Sequence, residues 1–138
     1  MNKFSNLKII TQYHNFYTGK ISNISLSTKS GGRIIIEPNR SEFLSTIDIC
    51  ELIINEYETN KKILCSISDG IVYADKSEIL IVTNDIIFSD QIDIVKAQRD
   101  KEYALSQLQK PLSENEEKMF EIKLKKVINR INVSQDKQ

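Results

Sequence analysis

Between residues 6 and 88 the apolar positions come in short runs that alternate with polar ones or sit between turn residues, whereas from Ile92 onward they recur at helical spacing. A period of two argues for strands and a period near 3.6 for helices. Strands are predicted at residues 6–11, at 16–20 with Gly19 as a local breaker, and at 21–28, where Ser22, Ile24, Leu26 and Thr28 alternate with Ile21, Asn23, Ser25 and Ser27. Residues 33–36 (RIII) lack alternation, which predicts a strand covered on both sides or lying at a sheet crossing. In residues 43–57, Leu44, Ile47, Leu52 and Ile53 roughly fit a helical face, but Thr46, Ile47, Ile49, Ile53 and Ile54 are β-branched and stiff at χ1, which favours two strands. A strand at 61–67 follows. Two more centre on residues 71–74 and 79–82, set apart by turns at Asp69-Gly70 and Asp75-Lys76-Ser77, and a short last one lies at 86–88. Many short strands at near-regular spacing predict an all-β sandwich or flattened barrel.

The pattern changes within the stretch from Ser66 to Ala97. Beyond it a first helix is predicted from Gln91 or Ile92 to Gln109, with Ala97, Ala104, Leu105 and Leu108 on one face. Pro111 stops it, because the residue before proline is pushed out of the α region. Ser113-Glu114-Asn115-Glu116 reads as a capping box opening a second helix. Phe120, Leu124, Val127, Ile128 and Ile131 form its apolar stripe, and Lys123, Lys125, Lys126 and Arg130 place positive charge toward its end, where the helix dipole favours it. The expected organisation is an N-terminal β-sandwich over residues 1–89 followed by an antiparallel two-helix hairpin over 90–138, with residues 85–91 as the joint. A hairpin this short is marginal alone and needs a platform to pack on, either its own β-domain or another chain.

Composition narrows the function. The 138 residues suffice for one good core and an appendage. Nineteen basic residues balance nineteen acidic ones, so no global field favours nucleic acid or an anionic membrane. Neither a secretory leader nor an apolar run long enough to span a bilayer is visible. Cys50 and Cys65 lie in apolar runs far from any CxxC and from the single His14, which reads as two small core residues and no metal site. The nucleotide-binding and nucleophile-elbow motifs are absent, His14 reads as a turn residue, and Asp85, Asp90 and Asp93 miss the spacing of a calcium loop and read as capping and turn residues. A non-catalytic protein is expected. One reading open at this point is a stand-alone β-sandwich binding module with a helical dimerisation tail.

The sandwich-then-hairpin order, the run SDGIVYADKSEILIVTND, and above all IDIVKAQRDKEYALSQL resemble the epsilon subunit of the F-type ATP synthase. LKIIT resembles that family's first strand and TGKISNISL its following segment. The resemblance implies a central-stalk rotor subunit without catalytic activity, whose sandwich holds the gamma subunit and rests on the c ring. Its hairpin would transiently reach the alpha/beta hexamer and inhibit ATP hydrolysis, with Lys123, Lys125, Lys126 and Arg130 meeting acidic ends of the catalytic subunits. It implies a peripheral location on the cytoplasmic face of a bacterial membrane. A subunit of a related rotary ATPase not used for synthesis is the neighbouring alternative.

Some members of that family bind a regulatory ATP in the hairpin through an "ID..RA" motif and two arginines of the second helix. No cofactor is required for the rotor role. Carried over, the candidate ATP-binding residues are Asp93, Lys96, Ala97, Lys126 and Arg130, with Lys96 and Lys126 standing where the pattern has arginine. Two departures stand out. Ile87 occupies the place of an acidic residue, and IIIEPNRSEF replaces the "GILPGHAP"-like loop that contributes to the c-ring contact; Gln12 also replaces a proline after the first strand.

Overall fold

The computed structural model describes residues 1–136 and divides into two compact units, Met1–Phe88 and Ser89–Gln138. The first unit contains seven strands: β1 (Ser5–Ile10), β2 (Asn15–Thr28), β3 (Gly32–Ile36), β4 (Phe43–Ile47), β5 (Cys50–Glu56), β6 (Lys62–Ala74) and β7 (Glu78–Phe88). β1 pairs parallel with β7 and antiparallel with β2, β2 pairs with β5, β5 with β6, and β6 with β7, so the ladder closes on itself as a flattened barrel. β4 lies along the far half of β6, and β3 lies along β2. Closure leaves one interior, filled by Leu7 and Ile9 of β1, Ile21, Ile24 and Leu26 of β2, Leu52 and Ile54 of β5, Val72 of β6, and Ile79 and Ile81 of β7.

Three expected strand boundaries are absent, because long strands bend or run on where the sequence shows a break. Gly19 does not end a strand. It pairs with Leu7 inside β2, and the Tyr17 phenol lies over it, 2.6 Å from where a β-carbon would stand. Between Ile21 and Asn23 the β2–β5 register slips by one residue, which keeps Ile21 buried although it belongs to the polar parity of the following segment. Asp69-Gly70 is not a turn either. Asp69 adopts φ +54°, yet the β6–β7 register runs from Ser68↔Asp85 to Gly70↔Thr83 without a shift. The kink falls where β6 leaves β5 for β4, whose pairing begins at Ile47↔Gly70. β7 likewise runs unbroken through the segment expected as a separate last strand.

Residues 33–36 are not covered on both sides. β3 pairs only with β2, and its outward Ile35 is 61% exposed while Ile36 is fully buried. The Arg33 guanidinium reaches back across the sheet to the carbonyls of Glu51 and Ser25.

The described residues of the second unit form a 3-10 turn (Ser89–Gln91), α1 (Ile94–Leu108) and α2 (Glu114–Gln135). Asp85–Phe88 belong to β7, paired with Cys65–Ser68, and the Phe88 ring stacks on Phe16 at 4.3 Å. The joint therefore begins only after Phe88. Asp93 caps α1 by accepting a hydrogen bond from the Lys96 N–H at 3.0 Å. At α2 the expected box forms: the Ser113 hydroxyl oxygen accepts from the Glu116 N–H, and the Glu116 carboxylate accepts from the Ser113 N–H. Ala97 packs with Val127, Ile131 and Leu124 near one end of the pair, and Tyr103 meets Phe120 edge-on toward the other, as antiparallel helices require. Leu105 (42% exposed) and Ile128 (36% exposed) point away from this small core, contrary to the expected faces. α2 continues past Arg130 to Gln135, so its last turn carries no basic residue and the expected match to the C-terminal dipole is not made.

Candidate functional site

The outer surface of the first unit follows from the strand period. Val72, Ala74, Ile79 and Ile81 point inward and are buried, so Ile71 and Tyr73 of β6 and Leu80 and Val82 of β7 point outward. Cross-strand register sets Thr46 beside Ile71 beside Val82, and Leu44 beside Tyr73 beside Leu80. The result is an apolar outer face in which Leu44 is 68%, Ile71 45% and Val82 37% exposed. On an antiparallel sheet such a face normally carries polar residues, so its composition marks it as an interaction surface. The sequence showed these residues as the second parity of each strand, and a strand buried on both faces reads the same way.

Polar contacts fix the margin of this face. The Tyr73 hydroxyl donates to Glu42 at 2.8 Å and lies 3.1 Å from the Asp75 carboxylate, and hydrogen bonding to Glu42, with partial desolvation and Asp75 behind it, pushes the phenol up to about 12. Asp75 accepts from the Ser77 and Glu78 amides, which holds its carboxyl below the ordinary value of 3.8. Glu42 ends the 37–42 loop. Its middle is held by Asn39, which exchanges hydrogen bonds with the Asn2 backbone, donates its own N–H to the Lys76 carbonyl and sits at φ +67°. The loop, the N-terminus and the β6–β7 turn thus form one tied end of the sandwich. On another side, Tyr17 donates to Glu56 at 2.7 Å and Thr59 to the same carboxylate at 2.8 Å; burial first and Glu56 second raise the Tyr17 phenol, and the two donors lower Glu56. Burial raises the Cys50 thiol.

The five residues carried over as a nucleotide site all lie in the second unit. Asp93 and Lys96 stand in the first turn of α1, and Ala97 is buried against Val127 and Ile131. Lys126 and Arg130 sit one turn apart on α2, each adjacent in sequence to one of those two packing residues. Lys96, Lys126 and Arg130 thus belong to the end of the hairpin at which Ala97 packs. The Asp93 carboxylate is engaged as the helix cap, and Ile87 is a strand residue opposite Ser66. Among the described residues, no group of three or more His, Cys, Asp or Glu side chains is placed to hold a metal ion.

Residues 5–89 match the family described as ATP synthase, Delta/Epsilon chain, beta-sandwich domain. Over 122 residues the chain is 37% identical to the ATP synthase epsilon chain of Mycoplasmopsis pulmonis, covering 86% of this chain and 84% of the relative. The chain belongs to the ATP synthase epsilon chain family. The epsilon chain of Mycoplasma mobile is 34% identical across 92% of this chain and 90% of its own length, and that of Ruminococcus albus 30% identical across 95% and 96%. The fold agrees with a chain of the Euglena gracilis mitochondrial ATP synthase, solved as OSCP/F1/c-ring, at a TM-score of 0.82 and 21% identity, covering 94% of this epsilon chain and 80% of that one. A chain of the Tetrahymena thermophila central stalk/c-ring structure aligns at a TM-score of 0.64 and 16% identity, covering 97% and 98%. As an epsilon chain, the protein is a central-stalk subunit of an F-type ATP synthase, and none of its described helices is long and apolar enough to cross a membrane.

Proposed function

We propose that this epsilon chain is a non-catalytic coupling and regulatory subunit. Its sandwich binds the gamma subunit and seats on the c ring, and its hairpin restrains ATP hydrolysis by contact with the alpha/beta hexamer, at the cytoplasmic face of the membrane. One observation carries the reading: the apolar outer face of β4, β6 and β7, which needs a partner of its own. The tied end formed by Asn2, the 37–42 loop and the β6–β7 turn supplies a rigid polar contact for the ring. The basic residues of α2 supply charge for the hexamer. In a complex of alpha, beta and gamma lacking epsilon, Leu44→Asp is expected to lose binding while keeping the parent's unfolding midpoint. Alanine at Lys123, Lys125, Lys126 and Arg130 together is expected to raise hydrolysis with assembly unchanged. Full binding by Leu44→Asp would overturn the docking assignment, and unchanged hydrolysis in the alanine variant would overturn the regulatory one.

A second reading, a regulatory ATP, is supported by the placement of Lys96, Lys126 and Arg130 next in sequence to Ala97, Val127 and Ile131, which pack together at one end of the hairpin. Those three would hold the phosphates, Ala97 would keep the helices close enough for all three to reach, and Asp93 would orient the first turn of α1. Lysine meets phosphate as a point charge without the planar fork of arginine, so the affinity is expected to be weak. Calorimetry on the full chain tests it: heat that Arg130→Ala abolishes supports the reading, and no heat at millimolar ATP overturns it.

A further inference from the structure

The last turn of α2 runs past the end of its partner helix. Ala97 packs with Val127 and Ile131 in an antiparallel pair, so going back from Ala97 to Ile94, where α1 begins, carries α2 forward to Asn132 and Val133. Beyond that point α2 runs alongside the 3-10 turn Ser89–Gln91, and the two elements are in contact. Val133 is 1% exposed and Ile92, which the same register sets level with it, 9%, whereas Asn132 and Gln135 are exposed.

Neither element is strong on its own. Asn132, Val133 and Ser134 are poor helix formers, no basic residue stands in the last turn to meet the helix dipole, and the final carbonyls of a helix lack partners within it. The Ser134 hydroxyl donates to the Ile131 carbonyl at 2.7 Å and the Asp136 N–H to the Val133 carbonyl at 3.2 Å, bonds that close the turn locally. Opposite, the 3-10 turn buries none of its own residues and is closed by a long bond from the Ile92 N–H to the Ser89 carbonyl, 3.4 Å. A single helical turn is unfavourable to nucleate, so two such turns in contact depend on packing, here around Ile92 and Val133.

We propose that the last turn of α2 is a latch on the joint: residues 132–135 and 89–93 order together and fray together. A force or contact that draws the end of α2 away then frees the joint while the rest of the hairpin stays paired. Val133 is the latching side chain, and the weak helix-forming run Asn132–Ser134 sets how easily the latch opens. The device does not depend on which partner the hairpin meets.

The test is amide hydrogen exchange on the full chain, read at Ile92, Lys96 and Ala97, whose N–H groups donate to the Ser89 carbonyl, the Asp93 carboxylate and the Asp93 carbonyl. Val133→Ala raises helix propensity but removes the buried side chain, and is expected to speed exchange at these three amides about tenfold. Asn132→Ala, at an exposed position, strengthens the turn without altering the contact and is expected to slow them about threefold. Ser113→Ala, which weakens α2 at its other end, is expected to leave them at the parent rate. The parent rate in Val133→Ala, or no slowing in Asn132→Ala, would overturn the inference. Equal acceleration by Ser113→Ala and Val133→Ala would overturn it too, because the hairpin would then open as one element. Should Val133→Ala lose the hairpin altogether, seen as lost helical circular dichroism, Asn132→Ala decides alone.

Discussion

The two units bury their apolar residues in opposite ways. In the sandwich a closed ladder surrounds one interior, so Ile24, Leu26, Leu52, Ile54 and Ile81 are fully enclosed. In the hairpin the shared core is Ala97, Val127 and Ile131, helped by Leu124, while Ile94, Val95, Tyr103, Leu105, Met119 and Ile122 remain exposed. A buried large side chain contributes roughly 1.5–3 kcal/mol, and the hairpin has few of them to set against the cost of ordering two helices. The sandwich can therefore serve as a fixed mount. The hairpin, with its smaller shared core, is expected to open at a lower free energy than the sandwich.

The sharpest way to break this contrast is to remove a core residue from each unit. Leu52→Ala, which opens a cavity inside the closed ladder, is expected to cost about 2–5 kcal/mol in global stability by denaturant titration. Val127→Ala is expected to leave the unfolding midpoint of the sandwich within error and to lower only the helical signal. Gly70→Ala comes next. Its new methyl must displace the Val82 carbonyl, and a cost of about 1–3 kcal/mol to the sandwich is expected from the same titration.

A smaller effect is expected from Ser113→Ala, which removes the capping box and costs roughly 1 kcal/mol, all of it within the hairpin. Hydrogen exchange would show faster exchange confined to α2. The smallest concerns pH. The Asp75 carboxyl lies below its ordinary 3.8 because two amides and Tyr73 stabilise the charged form, so its contribution is present above that ordinary value and disappears as pH falls through the lowered one. Asp75→Asn should therefore melt earlier than the parent at neutral pH, and the gap should close as pH falls through the lowered value. A gap independent of pH would show that packing, and not charge, is what Asp75 contributes.

The hairpin was the more legible unit, because its signals are local. Asp93 and Ser113 occupy the helix starts, and Pro111 lies between the helices. What was missed there, the outward turn of Leu105 and Ile128, depends on how closely α1 and α2 approach at Ala97 and Ala104, which no single helix encodes. In the sandwich the strands were legible as pieces. Gly19 and Asp69-Gly70 look like breaks since glycine and a polar neighbour usually end strands, yet here Tyr17 covers the first and a change of partner from β5 to β4 demands the second. The exposure of Ile35 was hidden because an edge strand and a doubly covered one share the pattern RIII. Among the acids before the first helix, Asp93 takes the capping role expected of that cluster, and α1 begins after it at Ile94, later than the expected Gln91 or Ile92.

The central claim, that the hairpin opens independently of the sandwich it is attached to, is tested most directly by native-state hydrogen exchange on the full chain across a series of low denaturant concentrations. The amides of α1 and α2 are expected to exchange through an opening that costs several kcal/mol less than global unfolding and depends weakly on denaturant, while those of β2, β6 and β7 exchange only with global unfolding. Exchange of both units through one common transition, with the same free energy and the same denaturant dependence, would contradict the account.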